Sequence, residues 1–258
     1  MESEKLTCSI GVMAYNEEAN IAPLLEALLK QNLSVCSLQE ICVVASGCTD
    51  RTEDIVRDFM RRDARIKLLV QKQRQGKASA INLYLSQAPG DVFIIESGDT
   101  QPDTDTIEKL VKPFLDPGVG MTGGRPVPVN SENTFVGFTV HLLWNLHHRI
   151  SLVRPKLGEL VAFRNVVREI PNDTAVDEAS IEAIIRGAGL RLVYIGEARV
   201  FNKGAENVRD FLKQRRRIAI GHLHLKHKQD YSVSTTSWKN ILGPLIRETR
   251  WGGKTLAW

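Results

Sequence analysis

The chain has 258 residues, 43% of them hydrophobic and 25% charged, with a formal net charge of +4. That size and apolar content exclude a disordered tail and allow one large α/β domain or a domain with an appendage. The small positive charge permits an anionic ligand or an anionic membrane surface and does not demand nucleic acid.

In chain order, LTCSIGVMAY (6–15) predicts a strand, and NEEANIAPLLEALLKQN (16–32) predicts a helix, because Ile21, Leu24, Leu25, Leu28 and Leu29 form an i, i+3, i+4 stripe. Asn16 with Glu17 and Glu18 reads as its start. EICVVAS (40–46) predicts a strand, CTDRTEDIVRDFMRRD (48–63) a capped helix, IKLLVQ (66–71) a strand, GKASAINLYLSQA (76–88) a helix and DVFIIES (91–97) a strand. PGVGMTGGRPVPVN (117–130) reads as a turn and an edge strand. A helix-like TFVGFTVHLLWNLHHRISL (134–152) follows, then GELVAFRNVV (158–167), then VDEASIEAIIRGAG (176–189), a helix closed by Gly189. The strand LRLVYI (190–195) leads to a basic helix, NVRDFLKQRRRIAIGHLHLKHK (207–228), a polar linker from 229 and a Trp-containing tail.

Four cysteines, Cys8, Cys36, Cys42 and Cys48, lack CxxC spacing, and the first five residues lack the character of a signal-peptide n-region. The expectation is a cytoplasmic protein with reduced thiols. No window reaches the roughly 18 uninterrupted apolar residues of a membrane span.

The alternation of strand and helix implies a mostly parallel sheet covered by helices on both faces. Such sheets bind ligands outside the carboxyl ends of their strands, near a switch point in strand order. The strand ends at 14–17, 45–50, 72–77 and 96–99 therefore carry the candidate site. This explains why the apolar DVFII run stops at Glu96, Ser97, Gly98 and Asp99: a strand carries a carboxylate to its tip where the tip lines a crevice.

Asp99 suits a Mg²⁺ or Mn²⁺ ion, which needs only one or two carboxylates when phosphates supply the rest; the competing reading is a turn aspartate. Lys77, beside Gly76 at a helix start, could meet an anion or be a solvated loop cation. Asp177 and Glu178 supply adjacent carboxylates, one a candidate general base, against the common use of acids at a helix N-terminus. The arginine run 215–217 suits a diphosphate, with nucleic-acid binding and a solvated face as rivals. His222, His224 and His227 lack the partners of a compact zinc site.

Read together, these segments resemble the family 2 glycosyltransferases of GT-A fold, over roughly residues 7–222. VMAYNEEANI (12–21) is similar to the family's opening strand and YNE; VVASGCTDRT (43–52) to its DDGSTDGT loop; GKASAIN (76–82) to GKAxALN. ESGDTQPDTDTIEKL (96–110) is similar to DADTxPDPDTLEKL, VDEASIEAIIRGAGLRLVYIGEA (176–198) to EDTELALRLLRAGYRVVYxPEA, and QRRRIAIGH (214–222) to the QxxRW region. The departures are Ser97 for the first Asp of DxD, with Glu96 one residue out of phase, Ser46 for an acidic residue, Asp177-Glu178 in reversed order, and Ile218 for the QxxRW tryptophan.

The resemblance implies a GT-A domain over 1–228, with a nucleotide-binding half (1–115), an acceptor half (116–228) and a linker and tail (229–258). It implies a nucleotide-sugar site at Ala14, Tyr15, Glu17, Ser46, Lys77, Ser97, Gly98, Asp99, Gln214 and Arg217, with a divalent cation at Asp99. It also implies Asp177 or Glu178 as base, and Gly158, Glu159 and Arg164 in the donor-sugar and acceptor pocket. The expected reaction is inverting transfer of a sugar, from a UDP-linked donor, to an acceptor hydroxyl. A lipid or polysaccharide precursor near the membrane is the expected acceptor class, with peripheral contact or a membrane partner. The rivals are a non-catalytic nucleotide-sugar-binding module and, remotely, a sugar-phosphate nucleotidyltransferase.

Overall fold

The computed structural model describes residues 5–229 together with Tyr231 and Val233. Its strands are β1 (Leu6–Ala14), β2 (Cys36–Ser46), β3 (Ile66–Gln71), β4 (Val92–Ser97), β5 (Thr100–Pro102), β6 (Val119–Pro128), β7 (Val161–Arg164) and β8 (Arg191–Asn202). The helices are α1 (Ile21–Leu29), α2 (Thr52–Met60), α3 (Lys77–Leu85), α4 (Thr106–Val111), α5 (Phe135–Val153), α6 (Asp177–Gly187) and α7 (Val208–Gln229). The expected linker and tail lie outside the described residues, apart from Gln229, Tyr231 and Val233.

One sheet holds the strands in the order β3-β2-β1-β4-β7-β6-β8-β5. The first four run parallel, as do β6 and β8, while β7 runs antiparallel to both β4 and β6. The chain winds outward from β1 to β3, then returns to place β4 on the other side of β1. That reversal opens a crevice between the carboxyl ends of β1 and β4.

Alternation along the strands supplies two cores. Ile10, Val12 and Ile94 face Ile21, Leu24 and Leu28 of α1, Val56 of α2 and Ile107 and Leu110 of α4. Met13, Val44, Phe93 and Ile95 face Ile81 and Tyr84 of α3 and Ile181 and Ile185 of α6. Each fully buried Leu, Ile or Phe contributes about 1.5–3 kcal/mol of apolar transfer. Gly11 is required beneath Tyr84, whose ring would lie 2.6 Å from a Cβ there. The three thiols Cys8, Cys36 and Cys42 are buried and, with Cys48, free.

Two local expectations need correction. The Pro-rich strand β6 is not at an edge: it lies between β7 and β8, with β7 alongside only Met121–Gly123. Past the irregularity at Gly123/Arg125, residues 125–128 pair with β8 alone. Pro126 and Pro128 fall in that one-sided stretch, where a missing N–H is tolerated. Asn16 does not cap α1, which begins at Ile21 after a turn closed by Glu17 O; Asn16 takes a left-handed φ of 56° and serves another purpose.

Candidate active site

The tips of β1 and β2 are tied side by side by polar contacts. Asn16 Oδ1 accepts from the Thr49 amide at 2.8 Å, and the Glu17 amide donates to Thr52 Oγ1 at 2.7 Å. Asp50 accepts from the Glu18 amide at 3.0 Å and from the Thr52 hydroxyl at 2.6 Å. Gly47, at φ +67°, lets the β2 loop pass so near the loop after β3 that a Cβ would lie 2.4 Å from the Arg74 nitrogen. Arg74 in turn stacks on the half-exposed Tyr15 ring, 3.8 Å from its centroid. A flat aromatic–cation platform results at the end of β1, after buried Ala14. Ser46 is buried, and its hydroxyl donates to Gln71 Oε1 at 2.7 Å.

Across the crevice, β4 ends at Ser97. The Gly98 amide donates to Met13 O at 3.0 Å, and a Cβ at Gly98 would meet the Glu17 side chain at 2.9 Å. Glycine is therefore what allows Glu17 to approach the β4 tip. Burial holds the Glu17 carboxyl above the usual range, and the charges of Asp99 and Asp50 add to the rise against a hydrogen bond from Asn20. Asp99 itself is exposed and faces the cleft with Ser97. Glu96, one residue out of phase, points the other way: it is fully buried, accepts from Thr100 at 2.9 Å and is pushed up to about 8 by burial. It is therefore no crevice group.

A cleft of about 490 Å³ runs from Asp99 to the start of α6. It brings together Lys77, Ser97, Asp99, Gly158, Glu159, Asp177, Glu178, Gln214 and Arg217, which come from five separate chain segments. Lys77 Nζ donates to Glu178 Oε1 at 2.8 Å and lies 4.0 Å from Asp177 Oδ2. Burial opposes the Lys77 charge, but the two carboxylates outweigh it and hold its pKa above the ordinary lysine value. The same cation divides the acid pair. Burial opposes ionisation of Glu178, yet Lys77 keeps its pKa below the usual range; Asp177 is pushed up to about 6 by burial and by Glu178, with Lys77 opposing. Asp177 Oδ1 is buried with no hydrogen-bond partner among the described residues.

Glu159 also belongs to this charge cluster. It holds a left-handed φ of 62°, uncommon for a residue with a Cβ, at the turn into β7. Burial pushes its carboxyl up to about 7, with Lys77 opposing and Glu178 and Asp99 adding to the rise. Glu182, one turn and a residue into α6, anchors the same loop from beneath: it accepts from the Leu157 amide at 2.6 Å and from the Tyr231 hydroxyl at 2.9 Å.

Arg164 lies elsewhere. Because β7 runs antiparallel to β4, Val161 pairs with Ile95 but Arg164 pairs with Val92, at the far end of the sheet. Its guanidinium donates to Val119 O and Phe114 O at 2.8 Å each and to Asp116 O at 2.9 Å. The expected pocket residue is thus a structural tie, because the strand direction carries it away from the crevice.

Sequence reasoning passed over Trp144 of α5 and Lys156 before β7, weighed His147 only as a metal ligand, and took Arg215 together with its neighbours; all four line the cleft. Helical spacing carried a signal for three of them. Trp144 and His147 are i, i+3 on α5, and Arg215 shares a face with Ile218 and His222 at i+3 and i+7. Lys156 sits in a loop and offered none.

The family model described as Glycosyl transferase family 2 matches residues 9–175, from β1 to the approach of α6. The chain belongs to that family. The matched region ends just before Asp177, so the acid pair and α7 lie beyond it. Glycosyltransferase AglE of Haloferax volcanii is 30% identical over 117 residues, 45% of this chain and 38% of its own length. The probable glycosyltransferase YdaM of Bacillus subtilis is 30% identical over 132 residues, 50% of this chain and 31% of its own length. The chain thus spans about a third of the length of these curated relatives.

Among solved structures, the mannosyltransferase PcManGT from Pyrobaculum calidifontis, in complex with GDP-Man and Mn²⁺, superposes with a TM-score of 0.68 at 24% identity, over 99% of this chain and 74% of that one. The likeness establishes the GT-A fold for this chain. No helix among its described residues is long and apolar enough to cross a membrane.

Proposed function

We propose that this glycosyltransferase moves a sugar from a nucleoside-diphosphate donor, UDP-linked, to an acceptor hydroxyl with inversion at the anomeric carbon. The observation that carries the reading is the divided acid pair: Asp177, with a free buried oxygen and a pKa raised to about 6, faces the same cleft as the Asp99 strand tip. A carboxylate so poised can take the hydroxyl proton near neutral pH. The acceptor oxygen then bonds to the anomeric carbon as the bond to the diphosphate breaks on the opposite face. Glu178 is held ionised by Lys77 and keeps that lysine in place, which makes Asp177 the stronger candidate for base.

On the donor side, Tyr15 with Arg74 offers a stacking face for the base, while Gln214 and Arg217 of α7 face the departing diphosphate. The fit to a divalent cation rests on the exposed Asp99 carboxylate at the cleft, with the Glu17 side chain beside the same strand tip. No group of three or more His, Cys, Asp or Glu that could hold a metal occurs among the described residues. Asp99 would therefore hold a Mg²⁺ or Mn²⁺ ion jointly with the donor phosphates. When bound, the ion supplies charge neutralisation of the diphosphate.

Calorimetric titration with UDP-, GDP- and dTDP-sugars, with and without Mn²⁺, on the unaltered protein and Asp99→Ala, tests the reading. One donor should bind only with both the ion and Asp99. Donor binding without transfer would favour the non-catalytic nucleotide-sugar-binding module, and absence of binding by every donor would overturn the reading. The proposed setting is the cytoplasmic face of a membrane, with peripheral contact through the half-exposed apolar residues of α5 and α7, Phe135, Leu152, Leu212 and Leu223.

A further inference from the structure

Between α5 and β7 the chain makes a turn at residues 156–159, and the two faces of that turn have different surroundings. Toward the cleft, Lys156, Gly158 and Glu159 line open space, and a Cβ added at Gly158 would meet nothing within 4 Å. Beneath, the backbone is tied on both sides of Glu159. The Ser151 hydroxyl of α5 donates to Lys156 O at 3.0 Å, the Leu157 amide donates to Glu182 Oε1 at 2.6 Å, and the Gly124 amide of β6 donates to Leu160 O at 3.0 Å. The Leu157 side chain covers Gly123, where a Cβ would lie 2.7 Å from it.

Glu182 differs from the other ties. It is fully buried in α6, and its second oxygen, Oε2, accepts from the Tyr231 hydroxyl at 2.9 Å. Tyr231 follows α7 and packs with Val233 against Val176 and Ala179 at the start of α6 and Leu225 of α7. One side chain thus joins the cleft turn to the chain that returns after α7, partners 25 and 49 residues away from it in sequence. Burial pushes its carboxyl up to about 7, with Leu157, Tyr231, Lys156 and Arg186 opposing. Either protonation state leaves an oxygen for the Leu157 amide. The consequence falls on Glu159, whose left-handed φ of 62° persists only where its neighbours hold it, and whose charge acts on Lys77 in the cleft.

We infer that Glu182 is a positioning residue for the donor sugar: through the Leu157 amide it holds Gly158 and Glu159 at the cleft, and through Tyr231 it makes that hold depend on the chain after α7. The inference rests on the transferase reading above and adds to it a residue that touches neither donor nor acceptor. Its effect is selective by position. The stacking face of Tyr15 with Arg74 belongs to the tips of β1 and β3, whereas the ties of the turn run to α5, α6 and β6. Loosening the turn therefore weakens the grip on the sugar and spares the grip on the nucleoside diphosphate.

The test reads the same variants of the full chain in two ways. Hydrogen exchange at the Leu157 amide, followed by NMR without ligand, should be about tenfold faster or more in Glu182→Ala than in the unaltered protein. Calorimetry then compares the donor selected from the nucleotide-sugar panel with its own nucleoside diphosphate, both with Mn²⁺. Glu182→Ala should weaken the nucleotide sugar about tenfold relative to the diphosphate, and Tyr231→Phe, which keeps the packed ring, about threefold, the net worth of one hydrogen bond. Glu182→Gln, whose Oε1 still accepts from the amide, should keep most of the discrimination. Tyr231→Phe keeps the test decisive should Glu182→Ala not fold. Equal losses for the two ligands, or unchanged Leu157 exchange, would reduce Glu182 to a structural tie and overturn the inference. Faster exchange in the variants with no donor bound by the unaltered protein would refute the transferase reading, and the donor role with it, while the hold on the turn stands.

Discussion

The two sides of the cleft are built by different means. The side proposed for the donor, at the ends of β1, β2 and β4, is held by short contacts between neighbouring strand tips, such as Asn16 with Thr49 and Gly98 with Met13. The opposite side is assembled from α5, the loop before β7, α6 and α7, and its buried carboxylates are balanced by Lys77, with Lys156, Arg215 and Arg217 as further cations. A strand tip is positioned by its ladder; a charge cluster is positioned by the electrostatic balance of groups distant in sequence. The first kind of site tolerates loss of a side chain without collapse, and the second couples protonation to geometry.

The sharpest way to break this contrast is to remove one carboxylate from each side. Asp177→Asn should lower turnover by about 10²–10⁴-fold, the usual contribution of a positioned base, while leaving donor affinity within about twofold, measured by calorimetry. Asp99→Ala should do the reverse at the binding stage, abolishing metal-dependent donor affinity. Full turnover in the Asp177 variant would remove it as base.

Glu96 sharpens the comparison from the donor side, where it is the buried exception. Its folded pKa of about 8 lies above the unfolded value, so between roughly pH 4.5 and 8 the folded chain keeps a proton that the unfolded chain releases. Stability due to this group is then present at low pH and is lost as pH rises toward about 8. Relative to Glu96→Gln, the unaltered protein should lose about 2 kcal/mol or more between pH 5 and 8, read by urea denaturation. Glu159 and Glu182, both raised to about 7 by burial, act in the same direction in both proteins and cancel in the difference.

On the acid-pair side, the turnover of the unaltered enzyme should rise through a limb near pH 6 as Asp177 ionises. Lys77→Met removes the cation that favours the ionised form, so the limb should move to higher pH by about one unit or more. An unmoved limb would show that Lys77 does not govern the pair. The smallest effect concerns α5 alone. Thr134 caps that helix by accepting from the Gly137 amide at 3.0 Å, so Thr134→Ala should cost about 1 kcal/mol and lower Tm by about 2–4 °C.

Much of the donor side was legible because it is local. Apolar runs and the helical segments between them located β1 to β4 and α1 to α3, and the small and acidic residues after each strand marked the expected crevice before any contact was known. Ser97 and Glu96 were also readable in outline, since strand alternation sends adjacent residues to opposite faces. Arg164 was misplaced for a reason that a single segment cannot reveal: β7 reverses direction relative to β4, and the pattern of apolar residues is the same in either direction. Pro126 and Pro128 correctly signalled one-sided pairing, but only the sheet order shows that the other half of β6 is interior.

By itself, the sequence determined the α/β alternation, the strand tips proposed to bear ligand groups, and the family to which the chain belongs. Those features follow from short-range periodicity and from residue types at fixed spacings. Tertiary structure decided that Glu178 rather than Asp177 takes the hydrogen bond from Lys77, that Asp177 Oδ1 is left without one among the described residues, and that Lys156 and Arg215 border both the cleft and an apolar groove. These depend on burial and on distances between segments up to about a hundred residues apart, as between Lys77 and Glu178 at a separation of 101. A protonation state is set by its surroundings, and only the folded chain supplies them.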